Sequence, residues 1–132
     1  MKVEKRYHGP CPCGSRRAYG ICCQRWHDGE VPPDAEALMR SRYTAYVLKL
    51  EDYVLATWHP RTRPAELNLA TPPRRWLDLK VLRHETGTAD TAIVEFIARY
   101  KAGGRISNLR ETSRFVREDD RWVYLDGDTD DY

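Results

Sequence analysis

The chain lacks long apolar runs and a strong excess of charge of either sign. None of its 132 residues lies in a stretch of about 20 apolar residues, the length that a membrane-spanning helix needs. Its polar first six residues, MKVEKR, lack the apolar core of a signal peptide, and this predicts a cytoplasmic protein. The formal net charge is only +2, which argues against nucleic acid as the main partner.

Cysteine is absent from most of the chain. All four cysteines, with four of the eight glycines, fall within residues 1–33, a segment without a periodic apolar pattern. A segment of about 30 residues cannot bury a sufficient core and needs a metal or disulfides to fold. Thiols stay reduced in the cytoplasm, so we expect a metal. The sequence contains no redox Cys-x-x-Cys motif, no Ser-His-Asp order and no phosphate-binding glycine loop.

The four cysteines form two close pairs. One residue separates Cys11 from Cys13, eight residues follow, and Cys22 and Cys23 are adjacent. Two such pairs can converge on one ion, and four soft thiolates suit a single tetrahedral zinc. Four-thiolate sites also accept iron, so the spacing leaves the metal open. The other interpretation is four unrelated thiols or a disulfide, although adjacent cysteines rarely bridge each other.

Two histidines lie near the cysteines. His8 or His27 could replace one thiolate, but with four cysteines present we expect both histidines to be bystanders. Four protein thiolates leave no open position for water, so a zinc ion here is expected to be structural and not catalytic.

Beyond Pro32 and Pro33 the pattern predicts helices followed by strands. Asp34 is the expected N-cap of a helix over about residues 35–49. Asp52 is the expected N-cap of a second helix over about residues 52–58, which Pro60 ends. The stretch up to Pro73 is expected to be irregular, with one helical turn near residues 65–69.

From Trp76 the apolar period changes to two. This predicts strands from residue 76, over about 92–101, 105–117 and 121–125, with Gly103-Gly104 as a hairpin turn. The acidic end, residues 126–132, is expected to be partly frayed. Helices followed by an antiparallel meander predict an α+β fold.

The cysteine segment resembles a known motif. The run CPCGSRRAYGICC, residues 11–23, is similar to the SEC-C motif, named for the metal-binding tail of the SecA translocation ATPase. A glycine usually follows the Gly-Ser pair of that motif, whereas Arg16 stands here. The resemblance implies one zinc ion held by Cys11, Cys13, Cys22 and Cys23.

The resemblance extends over nearly the whole chain. The segments LMRSRYTAY (38–46), TWHP (57–60), SRFVRE (113–118) and RWVYLDG (121–127) look like the YchJ-like family of bacterial proteins. In that family a SEC-C motif precedes a nuclear transport factor 2-like domain. The implied architecture is a metal-binding module at 1–33 and, at 34–132, a cone of helices against a curved antiparallel sheet with a pocket inside.

Six residues are candidates for a binding or catalytic role in such a pocket. Helical spacing turns Tyr43 and Tyr46 inward and places Arg42 at the edge of their face. Glu111 lies mid-strand and could act as a general base with a raised pKa. The full set is Arg42, Tyr43, Tyr46, Trp58, His59 and Glu111.

Structural roles are the alternative for each candidate. The tyrosines are then core residues with satisfied hydroxyls, Trp58 packs, and His59 is a capping or surface histidine. Glu111 then pairs with a cross-strand arginine such as Arg99.

The sequence leaves two main functions open. In the first, the zinc segment docks a protein partner or the ribosome through a basic surface with two interleaved aromatic residues. In the second, the chain is a small-molecule enzyme that uses the cone pocket, by analogy with other proteins of the fold. The metal could also serve stability alone, and a homodimer through the open face of the sheet is possible. The basic surface comprises Lys5, Arg6, Arg16, Arg17 and Arg25, with Tyr19 and Trp26.

Overall fold

A computed structural model describes residues 7–69 and 74–132. The predictions that involve Lys5, Arg6, Pro72 and Pro73 lie outside these residues. A 3₁₀ turn, Tyr19–Ile21, precedes helices α1 (Cys23–His27), α2 (Ala35–Leu48) and α3 (Glu51–Ala56). Strands β1 (Arg75–Thr86), β2 (Thr91–Ala102), β3 (Arg105–Glu118) and β4 (Arg121–Asp131) follow. Within the described ranges, no helix is long and apolar enough to cross a membrane.

Helix α2 begins where the sequence predicts. Asp34 has extended backbone geometry, and its carboxylate accepts a hydrogen bond from the Ala37 N–H at 2.8 Å. This satisfies one of the free N–H groups of the first turn and confirms the predicted N-cap. The helix ends at Leu48 because Lys49 adopts a left-handed conformation with φ 61°.

The prediction for the second helix is wrong at its start. Helix α3 begins at Glu51, so Asp52 lies in the first turn and Leu50 is the N-cap residue. The tight reversal at Lys49 starts the helix early, and both acidic residues then favour the positive end of its dipole. Residues 65–69 form no helical turn. One isolated turn fixes several residues for a single hydrogen bond, which is unfavourable without further contacts.

The four strands form one antiparallel sheet in the order β1-β2-β3-β4. Gly103 and Gly104 make the β2–β3 turn with φ 59° and 80°, as the sequence predicts. Register shifts interrupt the ladder twice in β1 and once between β3 and β4. Such bulges bend strands and increase twist, which suits a curved sheet. The face of β2 toward the helices carries Ala92, Val94, Phe96, Ala98 and Tyr100, all buried.

The prediction that the acidic end is frayed is also wrong. Strand β4 continues to Asp131, and the backbones of Asn108 and Tyr132 exchange hydrogen bonds of 2.6 and 2.8 Å. Arg114 of β3 binds the carboxylates of Asp126 and Asp128. The acidic residues face arginines across the strands, so their charges stabilise the pairing instead of repelling.

Helix α2 lies between two buried clusters. Leu38, Met39 and Tyr43 join the cluster on the concave face of the sheet. Leu48, near the end of α2, packs against a second cluster formed by the four cysteines and Tyr19. The α+β fold with a curved antiparallel sheet is confirmed, and α2 positions both candidate sites.

Candidate metal centre and adjoining cavity

The structure brings the four cysteine sulfurs together. All four lie within 4.8 Å of one another, and Cys13 Sγ is 3.6 Å from Cys22 Sγ. A Zn–S bond of about 2.3 Å implies sulfurs about 3.8 Å apart in a tetrahedron. All four cysteines are at least 95% buried. The cluster therefore could hold a metal ion.

Backbone turns bring the first pair into position. The Cys11 N–H donates to the Arg17 carbonyl at 2.8 Å, which closes the loop between them. Within that loop, Gly14 and Arg16 have φ of 83° and 69°. A Cβ on Gly14 would also lie 3.2 Å from the Leu79 carbonyl oxygen. Arg16, at the position where the motif usually has glycine, accepts a left-handed conformation that is unusual for a side chain of its size.

Two hydroxyl groups contact the sulfurs from outside. Thr44 of α2 donates to Cys23 Sγ at 3.5 Å and lies 3.7 Å from Cys11 Sγ. Ser15 Oγ lies 3.1 Å from Cys22 Sγ. Hydrogen bonds to ligand atoms orient them and stabilise their negative charge. The sequence pattern of the cysteines contains no signal for Thr44, which comes from another element.

The sulfurs shift one another's proton affinities. Hydrogen bonds from Cys13 and then Cys23 lower the pKa of the Cys11 thiol to about 3. The pKa of Cys23 is raised, first by its hydrogen bond to Cys11 and then by that to Cys13 and by burial. Four crowded and buried thiols thus cannot all ionise without a counter-charge. A divalent cation would supply that positive charge.

His27 lies beside the cluster with both ring nitrogens engaged. Its Nε2 donates to the Ser41 carbonyl at 2.9 Å, and its Nδ1 is 2.6 Å from the Tyr19 hydroxyl. Burial lowers the pKa of His27, which favours the neutral ring. Neither His27 nor His8 belongs to the metal-competent group found among the described residues. Tyr19 is only 5% exposed, so the expectation that it belongs to the exposed basic surface is wrong.

Arg40 connects the cysteine segment to α2. Its Nη1 donates to the Cys13 carbonyl at 2.6 Å, and its Nε binds Glu36 at 3.0 Å. Together with His27 and Ser41, this contact holds the segment against the helix.

A cavity of about 290 Å³ opens on the other side of α2. Five of the six candidate residues line it, namely Arg42, Tyr43, Tyr46, Trp58 and Glu111. His59 does not. Sequence reasoning missed Tyr124, although its two-residue spacing from Trp122 in a predicted strand is a usable signal. The remaining lining comprises Met39, Arg74, Trp76, Phe96, Ala98, Leu109, Ser113, Phe115 and Tyr124.

Arg42 lies in the interior and not at the edge of the helix face. It is 6% exposed, and its Nη1 donates to the Val54 carbonyl at 2.8 Å and to Thr57 Oγ1 at 2.7 Å. Its guanidinium carbon is 4.6 Å from the centre of the Tyr124 ring and 5.1 Å from that of Trp58. Burial lowers the pKa of Arg42. The expectation failed because charged residues are rarely buried, whereas two hydrogen bonds and two packed aromatic rings hold the Arg42 guanidinium inside.

Glu111 does not pair with Arg99. Its Oε2 accepts hydrogen bonds from Ser113 Oγ at 2.7 Å and from the Tyr124 hydroxyl at 2.9 Å. Glu111 stands opposite Phe96 on the concave face, whereas Arg99 points to the convex face and binds Asp78 at 3.0 Å. Successive side chains of a strand point to opposite faces of the sheet, and Glu111 and Arg99 lie at positions that face opposite sides.

His59 lies outside the cavity. Its Nε2 is 2.9 Å from Glu118 Oε2, and its Nδ1 accepts from the Arg61 N–H at 3.0 Å. The structure therefore does not bring His59 and Glu111 together as an acid–base pair.

Comparisons with known proteins match both parts of the chain. Residues 34–127 match the family model described as the YchJ middle NTF2-like domain, and residues 10–25 match the SEC-C motif. A UPF0225 protein of Bordetella bronchiseptica is 49% identical over 131 residues, which covers 97% of this chain and 98% of that protein. A UPF0225 protein of Xanthomonas campestris is 55% identical over 119 residues, covering 89% and 92% respectively.

Two solved structures share the fold. The solution structure of a SEC-C motif containing protein from Rhodopseudomonas palustris is 34% identical, with a TM-score of 0.80 over 89% of this chain and 96% of that chain. The crystal structure of a SEC-C motif containing protein from Psychrobacter arcticus is 28% identical, with a TM-score of 0.76 over 90% and 80% respectively.

Proposed function

Since the chain belongs to the YchJ-like family of UPF0225 proteins, with a SEC-C motif before its NTF2-like domain, we propose that it is a zinc-binding docking protein. Its cysteine segment, ordered by one structural zinc ion, would present a basic and apolar surface to an acidic protein partner. The observation that carries this proposal is a buried four-sulfur cluster in a segment that also exposes two arginines and an isoleucine.

The chemistry of the cluster supports zinc. Four thiolates fill a tetrahedral site and leave no position for a substrate, which is the pattern of structural zinc. Iron in a four-thiolate site is the competing occupant. Elemental analysis of purified protein separates the two, and we expect one zinc per chain.

The surface above the cluster supports docking. Ile21, the last residue of the 3₁₀ turn, is 63% exposed, and Arg16 and Arg17 are exposed in the preceding loop. Arg25 lies 4.3 Å above the ring of Trp26. These three arginines form no salt bridge with any acidic residue in the described ranges. An exposed apolar residue in a segment with three arginines fits an acidic protein surface, and the low net charge of the chain favours that partner over a phosphate backbone.

A matched set of variants tests the docking surface. Ile21→Asp replaces the exposed apolar side chain with a negative charge, and Cys22→Ser removes one proposed metal ligand. Ile106→Asp is the control, because Ile106 is 59% exposed on the β2–β3 hairpin, outside the cysteine segment. In quantitative pull-downs we expect one partner with an acidic surface to be depleted about tenfold by the first two changes and unaffected by the third.

The outcomes of the pull-down are distinct. Equal recovery of every protein by all variants contradicts docking through this surface. Recovery of ribosomes that is lost after nuclease treatment supports the ribosomal version of docking over an acidic protein.

The alternative function is a small-molecule enzyme in the cone cavity. His59 lies outside that cavity, and the Glu111 carboxylate already accepts two hydroxyl donors. The geometry therefore favours docking over acid–base catalysis as the first function to test.

A further inference from the structure

The cavity beside α2 has a chemical character of its own. Half of its fourteen lining residues are aromatic, namely Tyr43, Tyr46, Trp58, Trp76, Phe96, Phe115 and Tyr124. Its volume of about 290 Å³ is at the lower end of small-molecule sites. The exposed Arg74 is part of the lining, so this end of the cavity reaches the surface of the described structure.

Arg42 is the most unusual group in this lining. It is a buried cation, yet none of its nitrogens forms a salt bridge with a carboxylate among the residues that the structure describes. One nitrogen, Nη1, makes both of its hydrogen bonds. Nε and Nη2 make no hydrogen bond within residues 7–69 and 74–132; the guanidinium lies over the rings of Tyr124 and Trp58, and Glu111 is the only carboxylate whose charge raises its pKa.

The hydrogen-bonding balance of the cavity favours an acceptor. Besides Arg42, Tyr43 and Tyr46 line it, and Trp58 Nε1 is a buried donor with no hydrogen-bond partner in the described part of the chain. Among the acceptors, Oε2 of Glu111 already accepts hydrogen bonds from Ser113 and Tyr124. Two arginines against one glutamate leave the lining with a net positive charge.

We propose that this cavity binds a small molecule with an aromatic or apolar body and a carboxylate, and that Arg42 recognises the carboxylate. The planar guanidinium offers two parallel N–H groups that match a carboxylate in bidentate geometry. The rings of the wall would stack on the body, and burial would strengthen the ion pair. This inference is independent of docking through the cysteine segment.

The test compares acids with neutral analogues of the same shape. Benzoate, phenylacetate and indole-3-acetate are each titrated into the zinc-loaded full chain beside the corresponding amide. Chemical-shift mapping identifies where each compound binds. We expect at least one acid to shift resonances of the cavity residues and to bind about tenfold or more tightly than its amide.

Variants connect that preference to Arg42. Arg42→Gln keeps a hydrogen-bonding side chain but removes the charge, and we expect it to abolish the preference for acid over amide. Arg99→Gln is the control, because Arg99 lies on the convex face, and it should leave the preference unchanged. Should Arg42→Gln fail to fold, Ala98→Leu, which narrows the cavity from the sheet, is expected to weaken acid binding about tenfold.

Three results would overturn the proposal. The first is equal affinity for every acid and its amide in the wild type. The second is shifts confined to residues outside the cavity. The third is the absence of binding by all six compounds at millimolar concentration.

Discussion

The hydroxyl of Thr44, in α2, donates a hydrogen bond to the sulfur of Cys23 at 3.5 Å. The two residues are 21 positions apart, and Thr44 is fully buried. A helix of the cone thus contributes directly to the surroundings of the cysteine cluster. The boundary between residues 33 and 34 stays a prediction, but the cysteine segment is held in place by α2.

The first prediction concerns Thr44 as a support for the metal. Thr44→Val keeps the shape of the side chain and removes the hydroxyl that contacts Cys23 and Cys11. We expect zinc affinity to fall about tenfold, because such outer hydrogen bonds orient the ligands and stabilise the thiolates. Competition with a chromophoric chelator measures the affinity. Thr112→Val, on β3, serves as the control, and an unchanged affinity in Thr44→Val would show that the contact has no role in metal binding.

The second prediction concerns removal of the metal. We expect a chelator to speed amide hydrogen exchange in α1 and in the part of α2 near Ser41, because His27 and Arg40 connect these elements to the cluster. The centre of β2, near Val94, should stay protected, since its contacts belong to the other core. Exchange measured by mass spectrometry with and without chelator checks both regions. Equal loss of protection in both would mean that the metal stabilises the whole fold as one unit.

The third prediction concerns Gly127, which pairs with Ser113 across β3 and β4. A Cβ at this position would lie 2.9 Å from the carboxyl carbon of Glu111. We expect Gly127→Ala to lower the free energy of unfolding by about 1–3 kcal/mol, because the side chain of Glu111 must move. Urea denaturation measures the change.

A double-mutant cycle isolates the cause of that loss. A Glu111→Ala background removes the three atoms nearest to the added methyl group, so Gly127→Ala should cost less than about 0.5 kcal/mol there. The same cost in both backgrounds would exclude the clash with Glu111 as its source.

The fourth prediction concerns Glu95 on the convex face. Hydrogen bonds from Arg110, one of 2.8 Å, are the main cause that lowers the pKa of Glu95 below its ordinary value of 4.5. The folded-state pKa is therefore below the unfolded one. The pair stabilises the fold above about pH 4.5, and this contribution is lost as the pH falls through the folded pKa.

A carboxyl titration by NMR checks the assignment of this shift. We expect Arg110→Gln to raise the pKa of Glu95 toward 4.5. Arg83→Gln should raise it less, because the Arg83 hydrogen bond is longer at 3.2 Å and lowers the pKa of Glu95 less than Arg110 does. An unchanged pKa of Glu95 in Arg110→Gln would contradict the assignment.

Much of the architecture could be predicted because its signals are local. The Asp34 cap, the Gly103-Gly104 turn and the alternation of β2 each depend on neighbours within a few residues. The end of β4 could not be predicted this way. Its acidic composition indicates fraying by itself, whereas Arg114 of β3 and the backbone hydrogen bonds between Asn108 and Tyr132 hold it in the sheet.

The same distinction between local and long-range signals applies to the two candidate sites. Spacing along the chain was sufficient to group the four cysteines, since short loops restrict where two close pairs can go. It was insufficient for the cavity, where Arg42 is buried by Tyr124 and Trp58, and where Glu111 binds Tyr124 and not Arg99.

The sequence by itself determined the α+β order of elements, the hairpins and the grouping of the cysteines, because short-range geometry and solvation decide these features. Only the tertiary structure decided that Thr44 reaches the sulfurs, that His59 stays outside the cavity and that Arg42 is buried against aromatic rings. Contacts between residues far apart in the chain depend on strand register and helix position, which no local pattern specifies.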